Sequence, residues 1–193
     1  MKRITVFCGA REGTESVYIE QAAALGKTLA KQNIGLVYGG ADLGLMGAVA
    51  NGALSEKGEV IGVIPEFLQT REIGHKNLTE LIIVKSMHER KTKMNDLGDG
   101  IIALPGGFGT IEELFETLTW VQLGLQNKPI GVLNIGGYYN SLIAFIQTMV
   151  NSEFLREIDE KLLIVRDNID DLLSEMKNYS TPPIKNQINN ELT

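Results

Sequence analysis

The sequence predicts an α/β fold built on a doubly wound parallel sheet of about seven strands, with helices on both faces. Three observations carry this expectation. Short apolar runs alternate with helical patterns along the chain, and strict β-then-α alternation packs as a parallel sheet covered on both sides. The joints between them are rich in glycine. The clearest apolar run, Gly100-Ile101-Ile102-Ala103-Leu104, is the unbroken kind found in strands buried on both faces.

Ile4 and Val6, with Thr5 and Phe7, give the first strand, which Cys8-Gly9-Ala10-Arg11-Glu12-Gly13 breaks before a helical pattern from about Ser16 to Gln32. The unit recurs as strand Ile34 to Tyr38, loop Gly39-Gly40-Ala41-Asp42-Leu43-Gly44 and helix Leu45 to Lys57. Glu59 to Ile64 is the third strand, and the polar stretch from Pro65 to Leu78 is long enough to be a functional loop. Leu81 to Val84 and the helix Met87 to Leu97 follow. After the fifth strand comes Pro105-Gly106-Gly107-Phe108-Gly109-Thr110, then a helix with Ile111, Leu114, Phe115, Leu118 and Val121 in a 3.6-residue stripe. Ile130 to Leu133, a helix from Tyr138 to Val150, Leu162 to Val165 and a helix from Ile169 to Met176 complete seven steps of a Rossmann-like sheet.

The composition agrees. The 193 residues are 44% hydrophobic and 22% charged, close to ordinary soluble domains, which excludes collagen-like, disordered and disulfide-stapled classes. Residues 1–177 are expected to form one domain, with 178–193 a weakly ordered tail because Pro182-Pro183 and the Asn and Gln beyond offer little to pack. A net charge of −6 without a basic block argues against nucleic acid as a partner. One cysteine and two histidines argue against a disulfide or a zinc cluster. No signal-peptide core and no apolar run of ~18 residues occurs, so a cytoplasmic protein without a membrane partner is expected.

Glycine is the compositional outlier at 21 residues, concentrated in three strand-to-helix loops. In a parallel sheet all such loops open on the carboxyl edge of the strands, where ligands bind. Glycine admits close backbone approach, and the helix that follows offers unpaired N–H groups, a combination suited to a phosphate. Neither a triphosphate P-loop nor a full G-x-G-x-x-G is present, and Tyr38-Gly39-Gly40 stands where a dinucleotide site needs an acid. His88-Glu89 does not open a zinc-protease motif, because Thr92 takes the second histidine's place.

Pro105 to Glu113 reads P-G-G-F-G-T-I-E-E, which resembles the P-G-G-x-G-T-x-x-E signature of the LOG family, cytokinin riboside 5′-monophosphate phosphoribohydrolases. Met87-His88-Glu89-Arg90-Lys91 is similar to the M-H-x-R-K element of that family, and the likeness runs on through Gly44-Leu45-Met46-Gly47, Thr119-Trp120, Lys128-Pro129 and Gly137-Tyr138-Tyr139. Family members have often been labelled lysine decarboxylases, but no lysine here has a motif that marks a pyridoxal Schiff base.

The resemblance implies cofactor-free hydrolysis of the N-glycosidic bond of adenosine 5′-monophosphate (AMP) or an N6-substituted AMP, by a homodimer. It implies Arg90 and Glu113 as the catalytic pair. It places Glu72, Lys91, Gly107, Phe108, Gly109, Thr110, Ile111, Glu112 and Thr119 at the substrate, and Gly39 and Gly40 in the glycine edge beside it. Cys8-Gly9-Ala10-Arg11 departs from the family's usual C-G-S-S, leaving Arg11 as a candidate phosphate or base partner.

Chemically the pair makes sense. Glycosidic cleavage builds positive charge on the ribose and negative charge on the departing purine, which a carboxylate and a cation respectively stabilise. Arginines stay protonated, so Arg90 is assigned electrostatic rather than acid work.

Plainer roles compete. Thr110-Ile111-Glu112-Glu113 is also a capping box, with Thr110 as N-cap and Glu113 at N3, in which a Gln replacement would change stability by no more than about 0.5 kcal/mol. Glu112 and Glu116 suit a first helical turn, Arg90 and Lys91 a solvated helix face, and Glu72 a surface ion pair with Arg71. Thr119 lies about 9 Å beyond Glu113 along the helix. Met46, Met87 and Met94 read as core and Cys8 as a small buried residue. A non-catalytic nucleotide sensor using the same glycine edge remains the alternative function.

Overall fold

The computed structural model describes residues 1–68 and 74–180. Seven strands run in one parallel sheet in the order β4-β3-β2-β1-β5-β6-β7: β1 (Arg3–Phe7), β2 (Gly35–Tyr38), β3 (Val60–Pro65), β4 (Glu80–Val84), β5 (Gly100–Ala103), β6 (Ile130–Leu133) and β7 (Leu163–Arg166). Helices α1 (Ser16–Lys31), α2 (Gly44–Ser55), α3 (Met87–Leu97), α4 (Phe108–Gln122), α5 (Asn140–Asn151), α6 (Glu157–Glu160) and α7 (Ile169–Lys177) complete the described elements, with 3-10 turns at Glu66–Leu68 and Ile135–Gly137. The expected α/β architecture is the observed one.

Strand pleating divides the core into two layers. Ile4 and Val6 of β1 point to one face, where they meet Leu25 and Leu29 of α1, Val49 and Ala53 of α2 and Leu172 of α7. Phe7 of the same strand points to the other face with Met94 of α3, Leu114 and Val121 of α4 and Tyr139, which precedes α5. Thr5, on that second face, is fully buried yet satisfied, its Oγ1 donating to the Met94 carbonyl at 2.7 Å. The chain winds outward from β1 through β2 and β3 to β4, then returns to place β5 on β1's other side. The strand order therefore reverses between β1 and β5, the position at which open parallel sheets form a ligand crevice.

The differences in detail have local causes. α4 starts at Phe108 with Gly107 as N-cap, three residues before the expected cap, so Thr110 is the third helical residue and Glu113 belongs to the second turn. No capping box exists there. The S-x-x-E signature operates at α3 instead, where the Ser86 Oγ accepts from the Glu89 N–H at 3.1 Å and the Glu89 carboxylate accepts from the Lys85 N–H at 2.7 Å. The expected helix from Tyr138 begins at Asn140, because the chain first makes a 3-10 turn with positive φ at Gly136 and Gly137. Past α7, Tyr179 still packs against the core although the tail was expected to begin at Asn178. No helix among the described residues is long and apolar enough to cross a membrane.

Candidate active site

The loops after β1 and β5 meet at the switch point, where the Gly9 N–H donates to the Pro105 carbonyl at 3.0 Å. A pocket of about 560 Å³ opens there, within the size range of small-molecule sites. Its walls come from the β1 loop (Cys8 to Gly13), Gly39 at the end of β2, the start of α3 (Met87, Arg90) and the β5 loop with the start of α4 (Pro105 to Gly107, Gly109, Thr110, Glu113). Met46, Leu68 and Met94 add apolar surface.

Arg90 and Glu113, the pair singled out in the sequence, both line this pocket. The Ser86 cap fixes where α3 begins, which brings Arg90 under the carboxyl edge at only 6% exposure. Its Nε donates to the Val63 carbonyl at 3.1 Å and its Nη2 to the Gly39 carbonyl at 2.9 Å. Gly39 is required for this approach, because a Cβ there would lie 2.2 Å from Arg90 Nη2. A guanidinium held by backbone carbonyls in this way is a fixed positive charge that need not reorganise during a reaction.

Glu113 is pushed up to about pH 7 from an ordinary 4.5. Desolvation is the main cause; Arg90 and Lys91 pull it down, while Glu112 and Glu116 push it up. A carboxyl poised there exchanges protons readily at neutral pH. Cys8 is held as the neutral thiol, first by burial and then by the nearby Glu113.

The glycines of the edge divide into two kinds. Gly39 and Gly106 are needed by the packing, since a Cβ at Gly106 would lie 2.2 Å from Thr110 Oγ1. Gly107 and Gly109 face open space, with nothing within 4 Å of an added Cβ. α4 has no side-chain cap, so its first-turn N–H groups remain as donors beside the pocket.

The other sequence candidates are distributed unequally. Gly107, Gly109 and Thr110 line the pocket, as does the exposed Arg11. Gly40, Phe108, Ile111 and Glu112 are not among its lining residues. Gly40 holds a turn at φ +81° and its carbonyl accepts from the His75 N–H, while Phe108 is 97% exposed and Ile111 packs on the α3/α4 side of the core. Lys91 turns away from the pocket to Glu112 and Glu116, at 2.6 and 2.9 Å. Burial opposes its charge, but these two bonds outweigh it and raise its proton affinity. Thr119 lines a separate apolar cavity of about 200 Å³ between α4, α5 and β7. Glu72 lies outside the described residues.

Several lining residues had no assigned role in the sequence. Tyr138, whose hydroxyl donates to the Gly106 carbonyl at 2.6 Å, meets Tyr18 edge-on at 5.9 Å and closes one side. The Gly137-Tyr138-Tyr139 motif was the available signal. Met46 and Met94 are buried as expected, yet they also line the pocket, and Met87 is half-buried at its wall rather than in the core.

A Rossmann-like sheet with a glycine-edged pocket at its switch point, holding a buried arginine and a proton-exchanging glutamate, defines a class of α/β small-molecule site. Comparison with known proteins makes the assignment specific. The family model described as "possible lysine decarboxylase" matches residues 46–176. A probable cytokinin riboside 5′-monophosphate phosphoribohydrolase of Oryza sativa subsp. japonica is 44% identical over 179 residues, 93% of this chain and 72% of that one. A cytokinin riboside 5′-monophosphate phosphoribohydrolase of Arabidopsis thaliana is 44% identical over 178 residues, 92% of this chain and 83% of that one. The chain belongs to the LOG family. Among solved structures, the molybdenum cofactor carrier protein of Chlamydomonas reinhardtii aligns at TM-score 0.68 and 20% identity over 91% of this chain and 96% of its own. The molybdenum cofactor binding protein of Rippkaea orientalis aligns at TM-score 0.69 and 19% identity over 92% and 97%. At such identities the likeness is one of fold.

Proposed function

We propose that this protein hydrolyses the N-glycosidic bond of AMP or an N6-substituted AMP, releasing the purine and ribose 5-phosphate. The observation that carries the reading is the placement of Arg90 and Glu113 on one pocket, with the carboxyl of Glu113 balanced between its two protonation states. The names of the relatives support the same reaction class.

In this reaction the C1′–N9 bond breaks, its electron pair stays with the base, and water adds its oxygen to C1′. Glu113 as the carboxylate faces the positive charge growing on the ribose and accepts the proton that water loses; that proton leaves with the purine. Arg90 stabilises the negative charge on the departing base. The first turn of α4, with Gly107 and Gly109 open to the pocket, takes the 5′-phosphate, and Arg11 on the rim adds a positive charge. Met46, Leu68, Met87 and Met94 offer the purine apolar surface.

The description of the matching family model as a possible lysine decarboxylase finds no support in the pocket. No lysine lines it among the described residues, so no amine is placed there to form an imine with pyridoxal phosphate.

The second part of the proposal is a homodimer. Phe108, Leu123, Leu125, Phe145 and Phe154 are exposed apolar side chains on or beside α4 and α5, and a second copy of the chain would cover them. Product analysis on a panel of AMP, N6-substituted AMPs and other nucleoside monophosphates tests the substrate class. Release of the base from adenine nucleotides is expected, and preferential turnover of pyrimidine nucleotides would contradict it.

A further inference from the structure

α3 and α4 each present two neighbouring residues in different directions. On α3, Arg90 turns to the pocket and Lys91 to α4; on α4, Glu113 lines the pocket while Glu112 and Glu116 meet Lys91. Successive helical residues project about 100° apart, so whatever fixes Lys91 against its two partners also fixes how Arg90 and Glu113 face the pocket. Lys91 Nζ lies 2.6 Å from Glu112 Oε1 and 2.9 Å from Glu116 Oε1, and the Lys91 side chain is only 13% exposed. This is a drier and more constrained arrangement than an ordinary surface ion pair.

We propose that Lys91 is a positioning residue for Glu113, tying α3 to α4 through Glu112 and Glu116 and neutralising the two acids that flank the catalytic carboxyl. The assignment rests on the reading of Glu113 as the proton-accepting group. It differs from the substrate contact that family resemblance implies for this lysine, which does not line the pocket.

The charged and titratable groups around Glu113 are Arg90 and Lys91 from α3, Glu112 and Glu116 from its own helix, and Cys8 at the end of β1. Without the ammonium, three carboxylates crowd one stretch of α4 and repel one another, and Glu113 relieves the repulsion by holding its proton or by moving from Arg90. Removing Glu112 and Glu116 has the opposite sign. A lysine that merely stabilises the fold would change melting behaviour while leaving the titration of Glu113 where it is.

The test is a ¹³C-carboxyl NMR titration of the full, ligand-free chain, with the Glu113 resonance identified by its loss in Glu113→Gln. In Lys91→Met the midpoint is expected to rise by roughly half a pH unit or more, in Lys91→Arg to return to the wild-type value, and in the double variant Glu112→Gln/Glu116→Gln to fall. In turnover of AMP, Lys91→Met is expected to lower kcat by about tenfold or more while KM stays within about threefold. An unchanged midpoint in folded Lys91→Met overturns the proposal, as does an unchanged midpoint in the double variant should Lys91→Met not fold. So does a KM raised about tenfold with kcat intact, which is the signature of a substrate contact. A wild-type chain that turns over no nucleotide while the midpoints move as stated overturns the functional reading, and with it the catalytic side of the Lys91 role, and leaves only the coupling of Lys91 to the Glu113 carboxyl standing.

Discussion

Replacing Glu113 by Gln separates the chemistry of its carboxyl from its shape, and the structure makes the effects on stability and on rate run in opposite directions. In the folded protein Glu113 titrates near pH 7, against 4.5 when unperturbed. Between those two values the native state holds more protons than the unfolded state, so stability is lost as pH rises through that window. Above pH 7 the chain must keep a desolvated carboxylate, at a cost of about 3 kcal/mol. Gln carries no charge and removes that cost, less whatever its amide loses in hydrogen bonds. Glu113→Gln is therefore expected to be more stable than wild type at pH 8, by roughly 1–3 kcal/mol, which is several degrees in Tm for a chain of this length. The gain should shrink to a few tenths of a kcal/mol near pH 4.5, where the native carboxyl is protonated and the unfolded one about half so, and vanish below that. The capping-box alternative expects a change of no more than about 0.5 kcal/mol for this substitution, but α4 starts at Phe108 and Glu113 lies beyond its first turn. Turnover should fall by at least about a hundredfold, or ~2.7 kcal/mol of barrier. Thermal melts from pH 4.5 to 8.5, with AMP turnover on the same samples, measure both. A stability difference that does not change with pH would refute the assignment of a buried, proton-holding carboxyl.

The pH profile of kcat/KM should show an acid limb near 7, because the ionised form of Glu113 is the working one in the free protein; a limb below 5 would contradict this. Adenosine should be a far poorer substrate than AMP, since the open glycines and first turn of α4 suit a 5′-phosphate; equal turnover of the two removes that role. Gly39→Ala places a methyl 2.2 Å from Arg90 Nη2 and should cost about 1–3 kcal/mol of stability together with most of the activity; normal activity would mean that Arg90's position is unimportant. Sedimentation at micromolar concentration should find a dimer, and a monomer alone would leave the exposed apolar residues of α4 and α5 without the proposed partner.

The sheet was legible because strands buried on both faces read as short apolar runs, and alternation with helices leaves little choice of topology. The start of α4 was not. Glycines are poor helix formers, so Gly107-Phe108-Gly109 reads as loop and Thr110 as cap, whereas Thr110 is 4% exposed and pressed against Gly106 inside the first turn. Arg90 and Glu113 could be named from their motifs, but neither the carbonyls that hold Arg90 nor the burial that raises Glu113 has a local sequence signal. Lys91 shows the same limit from the other side. Its place in the motif suggests the substrate, and only the packing of α3 near α4 turns it toward Glu112 and Glu116. The loop after β1 could be placed on the ligand edge from its glycines, with Arg11 as a candidate contact, but Tyr138 had only its motif to mark it, because its approach to the β5 loop depends on packing across the sheet's reversal between β1 and β5.

The most direct test of the central claim is to incubate purified wild-type protein and folded Glu113→Gln with AMP and quantify free adenine and ribose 5-phosphate, measuring AMP binding to both by calorimetry. Equimolar adenine and ribose 5-phosphate from the wild type, at least about a hundredfold less from the variant, and binding by both are the expected results. Binding of AMP by the wild type without release of adenine would contradict the account and identify the pocket as that of a nucleotide sensor.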